Sequence, residues 1–397
     1  MTHKILVLII LPVLLTAACQ PATVAAVEPA MVTYTSTVPA DTATPETTAT
    51  VPVATSWQVE EVVQGLEIPW SIVFTSAERL LVSERPGRVR EIRDGQLNPE
   101  PLYTFTDVVT VEETGLMGMV LDPNYSENKT LYACYTSQDA SGMFDRVVRM
   151  IDNGDSLTLD GVLMEGIPAA KYHAGCRLGI GPDEKLYITS GDARVPSSAQ
   201  DLDSLAGKIL RINLDGSIPS DNPFADSPVY SYGHRNPQGI AWQPETGLLY
   251  ATEHGPSGSD GPEGGDEINL IQAGANYGWP LVSHDATLEG TESPLIQFTP
   301  AAAPASAMFY SGEVLPMFDG KFFFGALRGE GVVMVTISSQ APKSIEDVQW
   351  IVSDVGRVRE VTQSPDGLIY FTTSNQDGRG TYRAGGDRVY RIVPVYE

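Results

Sequence analysis

The segment YHAGCRLGIGPDEKLYITSGD carries His173 just ahead of one strand candidate and Asp192 just after the next. A hairpin of that length returns both ends to one rim. A His held by a carboxylate keeps one ring nitrogen protonated and leaves the other as a general base. A turn His bonded to backbone satisfies the same spacing, so the pair alone does not decide. A second loop, TEHGPSGSDGPEGGDEINLI, crowds Asp260, Glu263, Asp266 and Glu267 among glycines. Carboxylates and free carbonyls in such a loop suit Ca2+, a hard cation that takes oxygen ligands. Their order does not follow the EF-hand loop, and a solvated acidic loop has the same composition. The third signal is cationic. Arg235 stands in SYGHRNPQGIAW, Arg328 ends a strand candidate, and Arg357 and Arg359 alternate in GRVRE. Alternation puts the last two on one strand face. Convergent guanidinium groups bind carboxylate or phosphate through paired hydrogen bonds.

The elements that must position these residues are strands. Six segments share one grammar: an apolar strand, a turn with Pro, Asp, Asn or Gly, and a second strand. They begin at Pro69, Gly115, Cys176, Gln238, Ser306 and Val358, and a further strand candidate follows each. Alternating apolar, β-branched and aromatic residues predict half-buried strands. Helical periodicity is almost absent. Repeats every 45 to 70 residues or so predict an all-β fold, a six-bladed β-propeller of four-stranded antiparallel sheets. In a propeller, functional side chains come from loops at one end of several blades.

The chain has 397 residues and a formal charge of −25. That balance argues against nucleic-acid binding, which needs basic surface for phosphates. Lys4 and the apolar run 5–15 predict an export signal over residues 1–18. It closes on Thr16-Ala17-Ala18-Cys19, a lipobox-like end that predicts lipidation at Cys19 and an anchored, extracytoplasmic protein. Residues 19–56, rich in Thr, Ala, Pro and Val, predict an extended tether, and 57–397 the propeller. Cys134 and Cys176 are open to a disulfide, with two buried free thiols the favoured expectation.

Taken in order, the motifs Gly115-Leu-Met-Gly, His173 through Arg177, GKILRINLDGSIPSDNPF, YGHRNPQG, EHGP, GGDEINLI, NYGWP and GRVRE resemble the glucose/sorbosone dehydrogenases. These are soluble sugar dehydrogenases that use pyrroloquinoline quinone (PQQ). The resemblance runs from about Val59 to Val393. It implies oxidation of the C1 hydroxyl of aldose sugars to lactones by hydride transfer to PQQ, with an external electron acceptor. It implies that His173 is the base and Asp192 its orienting carboxylate. It further implies that Arg235, Asn236, Arg328, Arg357 and Arg359 contact PQQ. The carbonyls of Gly255 and Pro256 would hold a Ca2+ bridging to it, and Asp266, Glu267 and Tyr277 would lie near a further, structural Ca2+. His234 is expected to be a structural turn residue.

The sequence departs from the pattern in places. Glu113 stands where glucose dehydrogenases have a cofactor-contacting Gln, and a carboxylate there repels the cofactor unless protonated or turned away. Gln200 could supply a second such Gln only after a gap, and Tyr172 replaces an Asp found in some members. The acidic loop is longer, with residues 257–264 inserted. These features fit the aldose-type branch, often monomeric. Two other classes use comparable propellers: a Ca2+-dependent lactonase, and a non-catalytic glycan- or protein-binding propeller. The Arg cluster weighs against the first and the His–Asp pair against the second.

Overall fold

The computed structural model describes residues 52–396 except Ser339. The signal segment, Cys19 and most of the tether lie outside the described residues. From Ser56 onward the chain builds six antiparallel sheets, with one four-residue α-helix and two short 3-10 turns among the described residues. The expected six-bladed propeller is therefore the observed fold. The blades open at Pro69, Leu116, Leu178, Pro237, Pro304 and Val358, each within two residues of the repeat starts read from the sequence. In the first blade two short strands, Gln96–Leu97 and Tyr103–Thr104, share the outer position beside Arg88–Arg93.

The ring closes on itself. The outer strand of the sixth blade is Ser56–Leu66, which pairs antiparallel with Asp387–Val395. Asp387 reinforces the seam by accepting from the backbone N–H groups of Ile68 and Asn375.

The half-buried expectation holds for outer strands and fails for inner ones. Strands Arg79–Glu84, Leu186–Ser190, Leu249–Glu253, Phe322–Ala326 and Ile369–Thr373 are buried at every residue. Each blade is covered on both faces by its neighbours, and a sheet so covered tolerates apolar residues on both sides. Six apolar clusters fill the spaces between neighbouring blades. One of them encloses Cys134 and Cys176, which form a disulfide with Cα atoms 5.7 Å apart. The favoured expectation of free thiols is thus corrected. Cys134 lies on the second strand of the second blade and Cys176 just ahead of the third blade, so blade packing itself brings them to bonding distance.

Candidate active site

The loop entering the third blade brings in His173, and the turn after Leu186–Ser190 brings in Asp192. The backbones cross so closely that a Cβ at Gly191 would collide with the His173 carbonyl. His173 itself takes a left-handed backbone, φ 61°, a conformation that costs energy and clusters at functional positions. Its Nδ1 lies 2.7 Å from Asp192 Oδ1. The Arg194 backbone N–H donates to the same oxygen at 2.8 Å, and the Trp279 indole N–H donates to Oδ2 at 2.8 Å. Asp192 is fully buried and accepts from all sides. It thereby places the imidazole proton on Nδ1 and leaves Nε2 as the acceptor. No polar atom among the described residues bonds Nε2, and the ring lines a cavity of about 350 Å³.

All six blades contribute to that cavity. His234, Arg235 and Asn236 lie where the third blade passes to the fourth. His234 is buried between Ser231 and Glu253 and stacks on Tyr277, away from the cavity. Arg235 reaches the cavity but is heavily engaged. Its Nε and Nη2 donate to Asp260 at 3.0 and 2.7 Å, Nη1 to the His254 carbonyl, and Nη2 also to Ser257. Burial disfavours the charge on Asp260, but the Ser257 N–H and Arg235 outweigh it and lower its pKa. Asn236 is buried on the wall, and its Nδ2 has no partner among the described residues.

On the sixth blade Arg357 donates through Nε to Asp377 at 2.8 Å and through Nη1 to the Leu327 carbonyl. Arg359 sits 3.9 Å from the same carboxylate. Burial, with the charges of Arg85 and Arg357, lowers the Arg359 pKa against the pull of Asp377. Arg328 is half exposed at the rim and pairs with Glu263. Glu113 is neither free nor turned away. One oxygen accepts from the His173 backbone N–H at 2.9 Å, and the other pairs with Arg379 at 3.3 Å.

The acidic loop does not converge as a side-chain cage. Among the described residues no cluster of three His, Cys, Asp or Glu groups has metal-binding geometry. Asp266 reaches the cavity wall, yet its oxygens accept from the backbone N–H groups of Gly255 and Ala303. Glu267 and Tyr277 lie away from the cavity. The Tyr277 hydroxyl donates to the Leu270 carbonyl, and burial, then the Glu253 charge, pushes the Glu267 carboxyl up to about 8. Gln200 bonds Asn276 and the Trp279 carbonyl and does not line the cavity.

The family model for glucose/sorbosone dehydrogenase matches residues 66–383. The chain belongs to the glucose/sorbosone dehydrogenase family. It is 31% identical over 344 residues to the aldose sugar dehydrogenase YliI of Escherichia coli K12, covering 81% of this chain and 91% of that one. A provisionally assigned glucose dehydrogenase of Thermus thermophilus superposes with a TM-score of 0.79 at 40% identity, over 85% of this chain and all of that one. The PQQ-bound aldose sugar dehydrogenase of Streptomyces coelicolor gives a TM-score of 0.74 at 33% identity, over 86% of this chain and 99% of that one.

The residues around this cavity fit a flat polyanionic cofactor. The cavity has an orphaned amide donor at Asn236, several guanidinium groups, and a Gly255 carbonyl that accepts no hydrogen bond among the described residues. Three wall residues escaped the sequence reading. Trp70 forms part of the cavity wall, with the Arg359 guanidinium 5.7 Å from its ring. His254 donates to the Pro304 carbonyl; burial, then the charges of Arg235 and Arg359, press its pKa down to about 3, so it is neutral. Arg85 enters from the first blade. His254 stands inside the motif EHGP, whereas Trp70 lies within strand Pro69–Phe74 and Arg85 directly follows Arg79–Glu84, both of which read as ordinary core.

Proposed function

We propose that this protein oxidises the C1 hydroxyl of aldose sugars to lactones with PQQ as hydride acceptor and Ca2+ as its partner ion. The observation that carries this is the free Nε2 of His173, braced by Asp192, facing a cavity walled by arginines and by Asn236, whose Nδ2 has no partner among the described residues. The PQQ-bound relative supports the cofactor class and the Escherichia coli relative the substrate class. PQQ with Ca2+, when bound, supplies a polarised quinone able to take the hydride that leaves C1. Arg357, Arg359 and Asn236 would hold its polar edge, and the Gly255 and Pro256 carbonyls the cation. His173 Nε2 takes the hydroxyl proton as the hydride departs, leaving a carbonyl at C1. Asp192 stabilises the imidazolium so formed and keeps the ring from turning. Glu113 holds the His173 backbone in its left-handed conformation, while Arg379 balances its charge.

Residues 57–397 mixed with PQQ and Ca2+ should change the quinone spectrum and reduce a dye with at least one aldose of a panel. No spectral change and no dye reduction would overturn the proposal. His173→Ala should abolish turnover while PQQ stays bound.

We further propose that the protein works outside the cytoplasm, as a monomer anchored through a lipid on Cys19 and passing electrons to an external acceptor. The lipobox-like end supports the anchor, and a buried disulfide fits an oxidising compartment. Incorporation of labelled palmitate that disappears in Cys19→Ala tests the anchor.

A further inference from the structure

Arg85 differs from the other buried arginines that face this cavity. It follows strand Arg79–Glu84 and is 7% exposed. Its backbone is pinned on both sides. The N–H donates to the Ile68 carbonyl at 3.1 Å, and the carbonyl accepts from Leu116 N–H at 2.9 Å. Gly115, at φ 145°, packs so tightly there that a Cβ would overlap the Arg85 carbonyl and Cγ. The side chain is thereby aimed into the cavity.

Among the described residues its guanidinium makes no hydrogen bond, lies within 4 Å of no carboxylate, and has a fully buried Nε without a partner. The neighbouring anions are already committed: Asp377 to Arg357 and Arg359, Glu113 to Arg379. A buried guanidinium left without a counter-anion is costly. Burial lowers its pKa, the direction expected of a charge awaiting a partner. The planar fork of Arg matches a carboxylate in two parallel hydrogen bonds.

We infer that Arg85 is an anchor for a carboxylate of the bound cofactor, a role that rests on the PQQ reading above. In this arrangement Arg357 and Arg359 share Asp377 within the protein, and Arg85 is completed by the ligand.

The test pairs R85M with R85K. PQQ is titrated in the presence of Ca2+, and thermal unfolding is followed without PQQ. R85M should weaken PQQ binding about 30-fold or more while the unliganded protein melts at the same or a higher temperature. R85K, which keeps the charge without the fork, should bind with intermediate affinity. PQQ binding by R85M within about threefold of wild type would overturn the inference. So would R85M melting several degrees lower with unchanged affinity, which marks a structural arginine. If R85M does not fold, wild-type affinity in R85K overturns it. If the wild type itself binds no PQQ, the PQQ reading has failed, and citrate becomes the probe. Citrate raising the melting temperature of wild type but not of R85M then supports an anion site at Arg85, and an equal response in both overturns it.

Discussion

The Trp279 indole and Asp192 form a brace: the N–H donates 2.8 Å to the oxygen that faces away from His173. The carboxylate is thus held on both sides and cannot rotate to release the imidazole. Asp192→Asn would offer an amide N–H where Nδ1–H now donates and so favour the wrong tautomer. Turnover should fall by about 10²- to 10⁴-fold, with PQQ affinity unchanged. Steady-state kinetics and a PQQ titration on one preparation check both. Trp279→Phe should give a smaller loss of the same kind.

Asp260, within the inserted loop, and Arg235 form a pair whose side chains are 9% and 3% exposed. Asp260→Ala leaves the guanidinium buried without its counter-charge. It should destabilise the fold by about 3 kcal/mol, read from urea unfolding. The Asp260 pKa is lowered in the fold, so its contribution is present above the unfolded value near 3.8 and is lost as pH falls through the folded value. The difference between wild type and Asp260→Ala should therefore shrink in acid. A difference that is constant down to acid pH would remove the charge from the explanation.

The Cys134–Cys176 bridge spans 42 residues and staples the second blade to the strand entry three residues beyond His173. A loop of that length corresponds to about 4 kcal/mol of stabilisation through the unfolded chain. Cys134→Ser with Cys176→Ser should lower unfolding free energy by about 2–4 kcal/mol. Reductant should lower the wild type but not the double variant.

Asp145 lies on strand Gly142–Asp152 at 1% exposure, with Thr136 donating to one oxygen and no partner for the other among the described residues. Burial pushes its carboxyl up to about 8, far above the unfolded 3.8. The folded state therefore holds a proton that the unfolded state releases, and stability falls as pH rises between these values. Asp145→Asn should remove that slope. Its gain over wild type should be greater at pH 8 than at pH 5, by about 2–4 kcal/mol, measured by denaturant unfolding at each pH.

Two copies of one pentapeptide mark how far the sequence can be read. Gly-Arg-Val-Arg-Glu occurs at 87–91 and again at 356–360. In the first copy Arg90 pairs with Glu84 on the third strand of its blade; in the second Arg357 and Arg359 stand in the cavity at the start of the innermost strand. Local pattern finds strands and their number, because alternation and turn residues are local. It does not tell which strand lies next to the axis, because that depends on how blades pack. The same limit hides Arg85, whose direction is set by Gly115 of the next blade, and the disulfide, whose halves belong to different blades. His173 and Asp192 are legible because one hairpin carries both. The wall arginines are legible too, yet their tie to Asp377 is not, since Asp377 lies in a Gly-rich turn that resembles plain loop.

The pairing of Ser56–Leu66 with Asp387–Val395 fixes an order of events. The first strand of the propeller must wait for the last to be made before it finds its partner. Contacts so distant along the chain make for slow folding. Until that seam forms, the sixth blade lacks its edge, and Arg357, Arg359 and Asp377, which line the cavity from that blade, have no settled frame. Assembly of the cavity is consequently a late step, and a ligand has no complete pocket to enter until the ring has closed.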